Sequence, residues 1–333
     1  MELDFKDRAI LITGGTGSFG KKCVETLLKK GPPARLVVFS RDELKQYEMQ
    51  QQFLDPCLRF FIGDVRDRNR LYRAMNGIDT VIHAAALKQV PACEYNPFEA
   101  VNTNIMGAMN VIDAAIDRGV DRVITISTDK AVNPVNLYGA TKLCAEKLFV
   151  QGNSYSGTGG TRLSCARYGN VIGSRGSVIP LFLEQRASGT VTVTDERMTR
   201  FWITLDKGVE FVLRCLQMMV GGEVFVPKIP SMNIMDLVEA VAPDCEVNFT
   251  GIRAGEKIHE VLISPEEARQ ALEFPDMFVI QPSHPWWKVE NWEGGRALPD
   301  GFRYGSDTND QWLTQEELRT MTEQLIETSQ TNG

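Results

Sequence analysis

The run Ser127-Thr128-Asp129-Lys130 is followed, after a short loop, by Tyr138-Gly-Ala-Thr-Lys142. A tyrosine and a lysine four residues apart share one face of a helix. An ammonium beside a phenol lowers the phenol's pKa, so Tyr138 is expected to take the proton of a substrate hydroxyl as a hydride leaves the same carbon. Thr128, Asp129 and Lys130 add a hydroxyl, a carboxylate and an ammonium, which is more proton-transfer equipment than a simple oxidation requires. The bland alternatives are a solvated helix pair for Tyr138/Lys142 and a strand-capping ion pair for Asp129/Lys130.

Such groups need a scaffold, and the first half of the chain supplies one. Short β-branched runs at 9–13, 36–40, 60–64, 80–84 and 123–127 alternate with stretches of helical spacing, the pattern of a parallel βαβ sheet. The runs are nearly continuous in apolar residues, as strands covered by helices on both faces are. The expected fold class is therefore α/β, a Rossmann-type doubly wound parallel sheet over residues 1–172. Beyond Gly173 the alternation decays around Pro180, Pro227, Pro230 and Pro243. A smaller mixed α/β substrate-binding domain is expected over 173–333, and the stretch 282–306, rich in tryptophan and glycine, reads as an irregular arm.

Directly after the first run comes Gly14-Gly-Thr-Gly17-Ser-Phe-Gly20. Glycines let the backbone turn sharply and approach a pyrophosphate, which then sits on free N–H groups at a helix N-terminus. Strand, turn, helix and second strand follow in the order a dinucleotide site needs, so Gly14, Thr16, Gly17, Ser18, Phe19 and Gly20 are expected to hold a nicotinamide dinucleotide. Lys142 would then also hold the nicotinamide ribose. The second strand ends in Ser40-Arg41 instead of the acidic residue that usually accepts a ribose hydroxyl of NAD, which favours NADP. A guanidinium pairs with a 2′-phosphate, and a carboxylate repels it. In the competing arrangement Arg41 is a solvated charge and Asp42 turns inward to the ribose. Asp64 and Val65 are expected at the adenine edge, and Ala84 and Ala85 beside the cofactor backbone.

Composition narrows the class further. The chain has 333 residues, 43% hydrophobic and 24% charged, with a net charge of −7, ordinary globular values that argue against a nucleic-acid partner. No apolar run reaches membrane-helix length, and the N-terminus lacks the basic and apolar regions of a secretory signal, so a cytoplasmic protein with no membrane partner is expected. The seven cysteines form no CxxC and the three histidines no ligand spacing, so reduced thiols and no metal are expected.

These motifs resemble the extended short-chain dehydrogenase/reductase superfamily. The stretches TGGTGSFG (13–20), SRDELKQ (40–46), AALKQVPACEYNP (85–97), NTNIMGAMNV (102–111), STDKAVNPVNLYGATK (127–142), RYGNVIGSRGSVIP (167–180) and GEKIHE (255–260) resemble its inverting UDP-N-acetylglucosamine 4,6-dehydratases. The resemblance runs over 4–262 and resumes weakly at 304–318. It implies dehydration of UDP-N-acetylglucosamine with inversion at C5, giving UDP-2-acetamido-2,6-dideoxy-β-L-arabino-hex-4-ulose, the opening step of pseudaminic acid synthesis for flagellin. It also implies that Lys130, with a depressed pKa, removes the C5 hydrogen, and that Asp129 delivers a proton to the leaving C6 hydroxyl. Which of these two carries which proton stays open. Tyr138 sets the chain apart from a related branch, with membrane-anchored members, that has Met there.

By the same resemblance Lys88 lies near substrate and cofactor, Asn170 contacts the diphosphate, and Arg200 and Arg253 contact uridine and phosphate. Glu256 would accept from a ribose hydroxyl. Each is otherwise a surface charge or loop hydrogen bond. A homo-oligomer is expected, since helices flanking such a sheet often pair between protomers. The rival readings are a nucleotide-sugar 4-epimerase or retaining dehydratase on the same fold, and a noncatalytic NADP-binding regulatory protein.

Overall fold

The computed structural model describes residues 4–157, 159–173, 178–283 and 292–331, the last with side chains as far as residue 323. The core of the molecule is a sheet of ten strands. Six of them, β1 (Ala9–Thr13), β2 (Arg35–Ser40), β3 (Leu58–Ile62), β4 (Thr80–His83), β5 (Arg122–Thr128) and β6 (Arg162–Tyr168), run parallel in the order β6-β5-β4-β1-β2-β3. Crossing from β1 to either neighbour reverses the winding direction, and in such sheets ligands bind at the carboxyl ends of the strands beside that switch point. Val, Ile and Leu fill both faces: Ile10, Leu11, Ile12, Val37, Val38, Val81, Val123 and Ile124 are all fully buried.

The expected strands fall where the apolar runs lie, with β3 displaced toward the N-terminus of its expected span. Gly63 and Asp64 have already left the strand and begin the turn that brings Asp64 to the sheet edge.

The sheet does not stop at the expected boundary after residue 172. Val224–Pro227 pairs parallel with β6, Met277–Ile280 pairs antiparallel with it, and Ala271–Glu273 and Arg296–Ala297 complete that edge. Helix Leu205–Met218 packs against helix Ser18–Lys30 beneath the same sheet. What stands apart is a smaller hydrophobic core in which Ile179, Phe182, Val191, Trp202, Met232 and Leu237 meet Leu313 and Leu318. Of the tryptophan-rich stretch, 284–291 lie outside the described residues, while Trp292 packs edge-on against Phe225 and Phe274.

Candidate active site

A cavity of about 720 Å³ opens along the carboxyl ends of β1 to β6. Its floor is the glycine turn. Gly14 has φ +65°, a region that L side chains rarely adopt, and a Cβ there would press on the Ala85 backbone. Helix Ser18–Lys30 begins at Gly17 with no side-chain cap and no acidic residue in its first turn, so its leading N–H groups face the cavity. All the residues expected at the cofactor line this one cavity: Gly14, Thr16, Gly17, Ser18, Phe19, Gly20, Ser40, Arg41, Asp64, Val65, Ala84, Ala85, Lys88, Tyr138 and Lys142.

At the end of β2, Arg41 stands 3.6 Å from Asp64, and Lys45, one helical turn on, also lines the cavity. Asp42 caps helix Glu43–Gln52, accepting from the Lys45 N–H at 3.0 Å and from the Lys45 ammonium. Its carboxylate is thus engaged by its own helix. Ser40 is buried, and its hydroxyl oxygen accepts from Gln46 at 3.0 Å.

The opposite end of the cavity holds the proton-transfer groups. Asn136 caps helix Leu137–Ser156 by accepting from the Gly139 N–H at 2.8 Å, and it donates to the Gly255 carbonyl at the same distance. Gly139 lets the helix start lie against the Lys130 backbone, where a Cβ would overlap the Lys130 carbonyl oxygen. Tyr138, Lys142 and Glu146 occupy one buried stripe of this helix. Asn104, on a π-helical turn over Asn102–Met106, donates to the Leu87 carbonyl at 2.9 Å and to Thr141 at 3.0 Å, which ties the β4 loop to the catalytic helix.

A chain of contacts links Thr128, Asp129 and Lys130 beside Tyr138. Thr128 lines the cavity with the Tyr138 phenol and donates to Asp129 Oδ1 at 2.8 Å. Lys130 Nζ donates to the same Asp129 oxygen at 3.0 Å and to Asn170 Oδ1 at 3.1 Å, and it lies 3.5 Å from Glu260 Oε1. Asp129 is wholly buried, its Oδ2 has no hydrogen-bond partner among the described residues, and it does not line the cavity, whereas Thr128, Lys130 and Tyr138 do. The aspartate therefore stands behind the wall and reaches the cavity through its two neighbours.

Two electrostatic expectations are corrected. Burial pushes the Tyr138 phenol up to about 12, and the ammonium that opposes this rise is Lys130 and not Lys142. Lys142 donates instead to the Ile126 carbonyl at 2.7 Å. The Lys130 ammonium was expected to have a depressed pKa. Burial does pull it down, but Asp129 and Glu260 outweigh burial and hold it above the usual lysine range.

The substrate candidates divide. Lys88 and Asn170 line the cavity, and burial together with Lys130 lowers the Lys88 ammonium. Arg200, Arg253 and Glu256 do not line it. Arg200 donates to the carbonyls of Thr199, Lys257 and Ile258 at 2.7 to 2.9 Å, so it fastens the GEKIHE loop to strand Thr199–Ile203. Exposed Arg253 and half-buried Glu256 form a pair at 4.0 Å. Sequence reasoning gave no role to Lys45, Asn104, Lys257 or Glu260. Lys45 sits within the quoted SRDELKQ stretch, and Asn104 and Glu260 sit within two others, but no local periodicity singles them out.

A parallel sheet with a glycine turn after β1, and with Tyr138 and Lys142 on the helix that follows β5, defines a Rossmann protein of the short-chain dehydrogenase/reductase type. The chain belongs to the polysaccharide biosynthesis protein family, which matches residues 10–282. It is 52% identical over 323 residues to the inverting UDP-N-acetylglucosamine 4,6-dehydratase of Campylobacter jejuni subsp. jejuni serotype O:2, covering 94% of this chain and 97% of that one. A UDP-glucose 4-epimerase of Rickettsia conorii is 45% identical over 284 residues, 83% of each chain. Among solved structures, Pen from Bacillus thuringiensis superposes with a TM-score of 0.89 at 39% identity, covering 97% of this chain and 99% of that one. The resemblance drawn from the motifs is borne out by these matches.

Proposed function

We propose that this chain is an NADP-dependent, inverting UDP-N-acetylglucosamine 4,6-dehydratase. The observation that carries the reading is the hydrogen-bonded series Thr128, Asp129 and Lys130 beside Tyr138 at the nicotinamide end of a dinucleotide cavity, in a chain 52% identical to a named enzyme of this activity. NADP bound in the cavity supplies the hydride acceptor for C4 and the hydride donor for C6.

The protein's own groups move the protons. Tyr138 takes the O4 proton while its phenol proton passes to Thr128, and the Thr128 proton passes to Asp129 Oδ1, 2.8 Å away. A phenol held near 12 can act at neutral pH in this concerted way without first becoming a phenolate. Oxidation at C4 acidifies the C5 hydrogen, and Lys130 is the ionisable group of the strand-end trio that faces the ring. The proton stored on Asp129 leaves with the C6 hydroxyl as water. Reprotonation of C5 from the opposite face gives the L-arabino product, with no net use of cofactor.

Arg41 and Lys45 support NADP over NAD, because both cations line the adenosine end; Asp42 lines it too, but its carboxylate caps its own helix and pairs with Lys45. Lys88 and Asn170 are the substrate contacts this cavity favours. Arg200, Arg253 and Glu256 serve, in this reading, to shape and carry the GEKIHE loop. A soluble cytoplasmic enzyme fits the lack, among the described residues, of any helix long and apolar enough to cross a membrane. Exposed Tyr95, Phe98, Met106 and Met109 on successive helices favour association of copies. The product fits the opening step of a pseudaminic acid pathway.

Incubation with UDP-N-acetylglucosamine and NADP in D₂O tests the proposal. The expected product has a C6 methyl group and deuterium at an inverted C5. Recovery of the C4 epimer alone would overturn the reading in favour of a 4-epimerase, the activity named for the Rickettsia relative.

A further inference from the structure

Lys130 Nζ sits among three acceptors, Asp129 Oδ1 at 3.0 Å, Asn170 Oδ1 at 3.1 Å and Glu260 Oε1 at 3.5 Å. Two hydrogen bonds and an ion pair around one nitrogen suit an ammonium, which has no lone pair to offer. To take a proton from C5, Lys130 must first lose one of its own. The nearest acceptor is Asp129, but on the reading above that carboxylate receives the phenol's proton through Thr128. One carboxylate cannot hold both protons in the same turnover.

Glu260 is the second carboxylate. It is 3% exposed, its Oε2 has no hydrogen-bond partner among the described residues, and its backbone is pinned by Ser306, whose hydroxyl accepts from the Glu260 N–H at 2.9 Å. It comes from the far end of the GEKIHE stretch, which Asn136 and Arg200 hold against the catalytic helix and strand Thr199–Ile203.

We propose that Glu260 is the positioning and proton-accepting partner of Lys130, which makes this lysine competent to exchange the C5 hydrogen. The inference rests on the dehydratase reading and deepens it. At rest Asp129 and Glu260 hold Lys130 charged; once the phenol's proton has neutralised Asp129, the Lys130 ammonium passes a proton to the Glu260 carboxylate, giving an amine and a carboxylic acid. The amine then takes the C5 hydrogen as a proton and becomes an ammonium again, and the electron pair of the C–H bond moves into the enolate of the C4 ketone. When C5 is reprotonated from the opposite face the donor there is recharged from solvent and Glu260 releases its proton to solvent, so every group ends the turnover as it began. No oxidant or further reactant is needed. The other charged or titratable groups facing this pair are Asp129, Lys88 from the β4 loop, Tyr138 from the catalytic helix, Arg200, and Lys257, which lies 3.8 Å from Glu260 Oε2. Burial lowers the Lys257 ammonium, and Lys257 donates to the Val132 carbonyl at 2.6 Å, so it anchors the loop.

The test is the pH dependence of deuterium exchange at C5 in the full-length enzyme with NADP and UDP-N-acetylglucosamine. In the wild type, internal transfer should make the rate nearly flat across neutral pH. In Glu260→Gln, NADP binding and KM should stay close to wild type while exchange at neutral pH falls at least about tenfold and then climbs about tenfold per pH unit toward alkali, because solvent must now deprotonate Lys130. Glu260→Asp should restore the flat profile at a reduced rate. A Glu260→Gln profile that matches the wild type in rate, or in shape after scaling, overturns the proposal. If Glu260→Gln does not bind NADP, Glu260→Asp decides: the shorter side chain withdraws the carboxylate, so exchange must slow, and an unchanged rate overturns the proposal. Absence of C5 exchange in the wild type itself would instead sink the dehydratase reading.

Discussion

Lys142 Nζ donates to the backbone carbonyl of Ile126 at 2.7 Å, so the ammonium of the catalytic helix is anchored to β5 and not to the phenol four residues before it. Both side chains line the cavity, yet they act on different things. Lys142→Met should weaken NADP binding about tenfold, a loss of ~1.4 kcal/mol, as well as slowing turnover. Calorimetric titration with NADP separates the two effects. Unchanged affinity would place Lys142 outside the cofactor contacts.

In the proposed relay the phenol works through Thr128. Tyr138→Phe should lower turnover at least about a hundredfold, within the range of a lost general base. Thr128→Val removes the hydroxyl that donates to Asp129 but keeps the shape, and it should cost a comparable factor with little change in KM. A near wild-type rate for Thr128→Val in the steady state would show that the phenol proton leaves by another route.

On the NADP reading, cofactor choice rests on the two cations after β2. Arg41→Ala and Lys45→Ala should each weaken NADP by about tenfold or more, as expected for a lost charge-assisted contact, while changing NAD affinity little. Equal losses for both dinucleotides would refer these residues to the shared adenosine, not to the 2′-phosphate.

Arg167 is fully buried on β6 and joins three elements. It pairs with Glu146 of the catalytic helix at 2.6 Å and Glu267 at 2.8 Å, and it donates to the Leu262 carbonyl at 2.9 Å. Burial opposes its charge, but the two carboxylates outweigh burial and hold the guanidinium charged. Arg167→Met strands two carboxylates and should destabilise the fold by about 3–5 kcal/mol, read as a lower midpoint in urea. Replacing Glu146 and Glu267 by Gln in the same chain should recover much of that loss.

His83 gives the molecule an acid limit. Burial, aided by Lys142, lowers its imidazole from 6.5 to about 3, and the neutral ring shares a hydrogen bond with Thr13 at 2.7 Å. Between those two values the unfolded chain binds a proton that the folded chain refuses. Stability from this residue is therefore complete above pH 6.5 and falls as pH drops toward 3, by at most ~1.4 kcal/mol per pH unit. His83→Asn should flatten that limb in denaturant melts taken across the same range, and an unchanged slope would assign the acid loss to other groups.

The parts of the site legible in the sequence are those whose chemistry is local. The glycine turn, Ser40-Arg41 and the Tyr138/Lys142 pair declare themselves by spacing within one strand–helix unit, and β1 falls at the expected residues, 9–13. The charge state of Lys130 could not be read, since Glu260 joins it from far along the chain. Nor could the withdrawal of Asp129 behind the wall, which depends on how Thr128 and Lys130 close over it. The late strands were missed because they are two to four residues long, too short for a two-residue period to register.

Those late strands have an engineering consequence. Because Val224–Pro227 continues the hydrogen-bond ladder from β6 and carries three further strands beyond it, the first half of the chain is not a cassette that can be excised. A truncation near residue 173 would bare a long apolar strand edge and invite aggregation before it yielded a freestanding cofactor binder. Grafting a new substrate specificity onto this scaffold is better done by exchanging the loops around the smaller core than by swapping halves.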